Sequence, residues 1–93
     1  MAETPLHYSA VLNQPEVARR ILEHGGDPTI TDIHGNAPLW YAVFNARGSY
    51  EVVDLLLARN ANPNLKHKHG RSPLDFARQI GDETLIGKFE SKI

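Results

Sequence analysis

The sequence predicts an all-α fold, a solenoid of about three helix-turn-helix units stacked side by side. Three observations predict it. Thr4-Pro5-Leu6-His7-Tyr8-Ser9 recurs as Ala37-Pro38-Leu39-Trp40-Tyr41-Ala42 and as Ser72-Pro73-Leu74-Asp75-Phe76-Ala77, at offsets of 33 and 35 residues. Glu16-Val17-Ala18-Arg19-Arg20-Ile21-Leu22 recurs 35 residues later as Glu51-Val52-Val53-Asp54-Leu55-Leu56-Leu57. Gly25-Gly26-Asp27-Pro28 is matched by Asn60-Ala61-Asn62-Pro63, and Gly35 by Gly70. Several blocks recurring in one order at a fixed period mark a chain built of stacked units, each unable to bury its apolar face alone.

Each unit begins with a short helix. Thr4-Pro5 and Ser72-Pro73 pair a hydroxyl N-cap with proline at the first helical position. Ala37-Pro38 keeps the proline and loses the cap. The second helices start at Pro15, near Ser49 and at Asp82. Val17, Ile21 and Leu22, and then Val52, Val53, Leu56 and Leu57, have the spacing of an amphipathic helix. Gly25 supplies a left-handed stop, and Asn60 fills the same place less readily. Pro28 and Pro63 bar further helix. The third unit continues through Gly81-Asp82-Glu83-Thr84-Leu85-Ile86 and places Gly87 inside its second helix. The expected core is Leu6, Val17, Ile21, Leu22, Leu39, Ala42, Val52, Leu56, Leu57 and Leu74.

Composition narrows the function. The 93 residues suit one small domain. A formal net charge of −1 gives no general attraction to nucleic acid or to a membrane surface. The absence of cysteine rules out disulfides, thiolate metal sites and cysteine nucleophiles, and fits a cytoplasmic setting. The longest apolar run, Leu55-Leu56-Leu57-Ala58, is far short of the ~20 residues of a membrane span. No nucleophile elbow, phosphate loop or paired-carboxylate motif is present. Neither enzymatic activity nor a cofactor is therefore expected.

The Thr-Pro-Leu-His block, the Glu-Val-Val-x-Leu-Leu-Leu block and the Asn-Ala-Asn-Pro-Asn exit resemble the ankyrin repeat, over residues 4 to about 89. The resemblance implies a single domain over 1–93, with units at approximately 4–31, 32–66 and 67–93. It also implies short β-hairpin fingers at roughly 29–37 and 64–72, so that three helix pairs carry two fingers. In that family the histidine of the first block braces neighbouring units through hydrogen bonds. Its slot here holds His7, then Trp40, then Asp75, so the Trp40 junction must be held by packing. Two extra residues within Val43–Gly48 predict either a longer first helix in unit two or a longer loop after it.

The family resemblance also implies a protein-binding function. Binding is expected on the fingers, through Ile33, His34, Asn36, Lys66, Lys68, His69 and Arg71. It is also expected on a concave face made by the ends of the first helices, through Val11, Leu12, Phe44, Asn45, Gln79 and Ile80. Arg59, Lys66, Lys68 and Arg71 occur in a stretch without acidic residues and suit an acidic protein partner. Nucleic acid fits poorly, because no aromatic platform accompanies the patch in sequence. His34, His67 and His69 lie in fingers about 10 Å apart at packed-helix spacing. With no acidic or cysteine ligand at metal spacing, they are taken as turn residues.

The start methionine, three units and polar end Glu90-Ser91-Lys92 suggest a stand-alone monomer that recruits or blocks its partner. A segment of a longer scaffold is the alternative. Pro38-Leu39-Trp40-Tyr41-Ala42-Val43 resembles small bacterial ankyrin proteins, some of which are immunity proteins that plug a toxin.

Overall fold

The structure, a computed structural model, describes residues 4–91. They form α1 (Pro5–Val11), α2 (Pro15–Glu23), α3 (Pro38–Phe44), α4 (Glu51–Ala58), α5 (Pro73–Ile80) and α6 (Glu83–Glu90), with no strand among the described residues. Helices pair in order as α1–α2, α3–α4 and α5–α6. The first helices stack on one another, α1 on α3 and α3 on α5, while α2 stacks on α4.

Local chemistry sets the helix starts. Thr4 and Ser72 each have extended backbone and a side chain that accepts from the backbone N–H three residues on. Both caps are reciprocal. The Thr4 backbone N–H donates to Nδ1 of His7 at 3.1 Å, and the Ser72 N–H donates to the Asp75 carboxylate at 2.9 Å. Asp82 caps α6 through the Leu85 N–H. Ala37 has the same extended backbone, φ −83° and ψ 167°, but no side chain to accept. The residue capping α4 is Tyr50 rather than Ser49, and it makes no side-chain cap. Gly25 and Asn60 take positive φ, 92° and 67°, after α2 and α4.

The two extra residues lengthen a loop and not a helix. α1 and α3 are both seven residues long, whereas residues 45–50 make a longer connection than 12–14 or 81–82. Arg47 and Gly48, both at positive φ, turn the chain there. Tyr50 then reaches the next unit, donating its hydroxyl to Asp82 at 2.8 Å.

The core runs as one cluster through Leu6, Ala10, Ala18, Leu22, Leu39, Ala42, Val52, Leu56, Leu74, Leu85 and Phe89. Val17 is a correction to the expected core, since it is 45% exposed. Ile21 is only half-buried. Helical spacing places both on the apolar face of α2; Ile21 packs partly against the core, while Val17 stays largely exposed among the described residues.

The two junctions use different chemistry. At the first, Nε2 of His7 donates to the Asn36 carbonyl at 2.9 Å, which Nδ1 permits by accepting from Thr4. His7 is 1% exposed, so this bond lies inside the stack. Arg59 ties α4 to α2 by donating to the Leu22 carbonyl at 2.8 Å, a cation at a helix C-terminus. At the second junction Trp40 meets His67 edge-on at 4.5 Å between centroids and Phe76 at 5.5 Å. Packing replaces the hydrogen bond there, as the substitution requires.

Three outcomes follow from these local arrangements. Ala37→Thr should raise the denaturant midpoint by the equivalent of about 1 kcal/mol, by giving α3 the cap that α1 and α5 possess. An unchanged midpoint would show that the α3 amides are satisfied in another way. Gly87→Ala should add about 1 kcal/mol, because Gly87 is helical, exposed, and a Cβ there meets nothing within 4 Å. Asp75 provides the third. The Ser72 backbone N–H, and then the Lys66 ammonium, lower its carboxyl from 3.8 to about 2. A depressed folded pKa contributes stability above the unfolded value, and that stability is lost as pH falls through the folded value. Asp75→Asn should therefore start less stable near neutrality and lose less than the parent in denaturant titrations between pH 3.8 and about 2.

Candidate functional site

The segments between helix pairs are tight turns. In the first, the Asp32 N–H donates to the Asn36 carbonyl and the Gly35 N–H donates to the Asp32 carbonyl, each at 3.0 Å. The Asp32 carboxylate gathers the N–H groups of His34 at 2.9 Å and Asn36 at 3.0 Å, and the Tyr41 hydroxyl. Burial pushes this carboxyl up. The Tyr41 hydroxyl and the Asn36 and His34 amides outweigh it and leave the group below its usual value. A buried carboxylate with three donors is a fixed anchor, so the turn is rigid at its base.

The second turn copies the first with a different side chain. The His67 N–H donates to the Arg71 carbonyl and the Gly70 N–H to the His67 carbonyl, both at 2.9 Å. Nδ1 of His67 accepts from the His69 N–H at 2.9 Å, in the position that the Asp32 carboxylate holds above. The two turns meet where the Lys68 N–H donates to the His34 carbonyl at 3.0 Å. Gly35 lies at this contact with φ +79°, and a Cβ there would stand 3.1 Å from the Lys68 nitrogen. The ladder of a β-hairpin is not formed in either turn.

The expected contact residues divide into two groups. Ile33 (62% exposed), His34, Lys68 and His69 project from the turn tips, and Arg71 is half-exposed. Lys66 is exposed, yet its ammonium sits 3.0 Å from Asp75. Asn36 does not join them. It is 8% exposed, its backbone is bonded to Asp32 and His7, and its buried Oδ1 has no partner among the described residues. His67 is also structural, wedged against Trp40. Among the described residues no group of three or more His, Asp or Glu side chains could hold a metal ion.

On the face of the first helices, Val11 is 39% exposed, Leu12 62%, Phe44 57% and Ile80 53%. Gln79 is exposed. Asn45 is half-buried and donates to the Tyr41 carbonyl at 2.9 Å. Val11, Phe44 and Gln79 are equivalent positions, as are Leu12, Asn45 and Ile80, and stacking of α1, α3 and α5 sets them side by side.

One feature of this surface went unpredicted. Phe44 packs on Phe76 at 5.4 Å, Phe76 on Trp40 at 5.5 Å, and Trp40 on His67 at 4.5 Å. These half-exposed rings join the helix ends to the second turn as one aromatic strip. The signal in the sequence was Trp40 in a slot that two other units fill with polar residues.

A family model described as ankyrin repeats (3 copies) matches residues 1–67. Neurogenic locus notch homolog protein 4 of Homo sapiens is 39% identical over 85 residues, covering 90% of this chain and 4% of that protein. NF-kappa-B inhibitor alpha of Sus scrofa is 36% identical over 73 residues, covering 67% of this chain and 23% of that protein. Putative ankyrin repeat protein L92 of Acanthamoeba polyphaga mimivirus is 37% identical over 81 residues, covering 86% of this chain and 19% of that protein. The chain spans less than a quarter of each of these relatives. The matched blocks and the stacked helix pairs agree, and the chain belongs to the ankyrin-repeat family.

Proposed function

We propose that this protein binds another protein through its two turn tips and the exposed ends of its first helices, and so recruits or blocks that partner. The family is a non-catalytic interaction module. The observation that carries the reading is the exposed apolar row. Leu12 and Phe44 are more than half exposed, and Phe44 begins an aromatic strip that ends at the cationic second turn. Apolar and aromatic anchors beside rim charges are what interfaces use, and clustered exposed hydrophobics mark contact surfaces.

The partner is a protein with an acidic patch beside an apolar pocket. Lys68 and Arg71 supply the complementary charge, while Lys66 is already paired with Asp75. The chain acts as a cytoplasmic monomer. An immunity-type inhibitor that plugs a toxin is one form of this activity, supported by the Trp40 block. Among the described residues no helix is long and apolar enough to cross a membrane.

The second helices are a poorer contact surface. Arg19 is paired with Glu16 at 2.7 Å, and long charged side chains lose entropy when immobilised. With a partner captured from the source cells, Phe44→Ala should weaken binding by about 1–3 kcal/mol, mainly through faster dissociation. Lys68→Glu with Arg71→Glu should slow association at low salt, with an effect that fades as salt rises. Arg19→Ala with Arg20→Ala should change neither rate. A dominant effect of the Arg19 and Arg20 changes, with the other variants silent, would place the contact on the convex back.

A further inference from the structure

The two turns close on different side chains. In the first, the Asp32 carboxylate accepts from the His34 N–H at 2.9 Å and the Asn36 N–H at 3.0 Å. In the second the equivalent residue is His67, and Nδ1 of its ring accepts from the His69 N–H at 2.9 Å. The rest of the closure is shared, since both turns use the same pair of backbone bonds and a glycine at positive φ, Gly35 or Gly70. The exchange alters one property. The Asp32 carboxyl, held below its usual value, stays an acceptor through the whole neutral range. An imidazole nitrogen accepts only while it carries no proton, and histidine is the side chain whose charge changes between about pH 5 and 8.

The surroundings make that proton consequential. Lys66 and Lys68 flank His67 in the chain, and Arg71 stands across the turn, its carbonyl accepting from the His67 N–H at 2.9 Å. The His69 ring lies 5.7 Å away. The first turn adds His34, whose carbonyl holds the Lys68 N–H, and α3 contributes the uncharged Trp40 ring. The acidic group beside the turn is Asp75 of α5, already paired with Lys66 and bonded to the Ser72 N–H. A proton on Nδ1 would face a second donor, the His69 N–H, inside a cationic turn. Two donors at that distance make no bond, and each loses its partner. The Trp40 contact does not use Nδ1 as an acceptor, so the junction stays while the tip is released.

We propose that His67 is a proton-operated latch on the second turn: without the proton its ring closes the turn, and with the proton it lets go of the His69 N–H and loosens the tip that carries Lys68 and His69. The latch regulates the contact surface assigned above, and its consequence for binding rests on that reading. His7 also accepts through Nδ1, from the Thr4 N–H at 3.1 Å, but it belongs to the first junction. The His34 amide reports on that side of the molecule.

The test uses the free 93-residue protein, so its outcome is independent of whether the surface binds a partner. Amide exchange is followed at about pH 7.5 and about pH 5.5, each rate divided by that of an unstructured chain at the same pH. Protection of the His69 amide should fall about tenfold on acidification, while that of His34, held by Asp32, should stay. Trp40, the one tryptophan of the chain, touches His67, and its fluorescence should change over the same range. His67→Asp copies the first turn and should keep the His69 amide protected at both pH values. His67→Asn, an acceptor that takes no proton, should do the same and serves if the first variant does not fold. His69→Ala retains the backbone donor and should respond as the parent does. The proposal is overturned by a His69 amide that is unprotected at the higher pH or equally protected at both, even if the fluorescence changes. An acid response that persists in His67→Asp or His67→Asn, or disappears in His69→Ala, overturns it too. So does a loss of protection shared equally by His34, which would place the change in the whole fold.

Discussion

Helices of seven to nine residues do not persist in water on their own, because the cost of nucleation exceeds what so few backbone bonds return. Every helix among the described residues falls in that range. Its order depends on the neighbour against which it packs, and each packing contact between units carries the stability of both. The first junction meets this need with a buried bond between His7 and the Asn36 carbonyl, which serves cap and bridge at once because both ring nitrogens are engaged. The second meets it with aromatic contact between Trp40, Phe76 and His67. A bond of the first kind fixes orientation closely. A contact of the second kind tolerates more sliding while burying more surface.

That difference bears on the proposed binding surface. Substituting Trp40 in the histidine slot removes a cap from α3 along with the bridge, since Ala37 also lacks an acceptor. In its place, half-exposed aromatic area connects Phe44 to the second turn. The repeat has exchanged an internal polar anchor for packed aromatic rings that lie partly on the surface. Side chains on such a strip are held by their packing, which would limit the entropy lost at the proposed contact.

Much of this fold was legible because its signals are local. Thr4, Ser72 and Asp82 cap helices by chemistry confined to three residues, and Gly25 and Asn60 stop them by backbone freedom. Exposed Leu12, Phe44 and Ile80 followed from their places at the ends of first helices. The features that escaped depend on which neighbour is present. Periodicity places Val17 and Ile21 on the apolar face of α2, but how far each is covered depends on what packs against it. Asn36 looked like a turn-tip residue because its type favours turns. It is instead drawn inward by bonds to Asp32, Tyr41 and the His7 ring 29 positions earlier in the chain. The turns themselves lack the strand pairing of a hairpin, and their closing bonds run through the Asp32 carboxylate and the His67 ring, side chains whose role spacing alone does not reveal.

The electrostatics of the second turn show how structure edits a sequence pattern. Arg59, Lys66, Lys68 and Arg71 read as one basic stretch, yet two of the four are committed. Arg59 caps α2, and Lys66 completes the Asp75 cap of α5. Lys68 projects with its backbone N–H fixed to the other turn, so its Cα is held while its ammonium stays free to sample. Arg71 closes the turn through its carbonyl and is itself half-exposed. A cation on a fixed base costs less to localise than one on a mobile loop, and a guanidinium offers planar, bidentate contact to carboxylates. On the proposed contact surface two cations and one apolar row would set selectivity, a smaller and more directional pattern than the charge run in the sequence suggests.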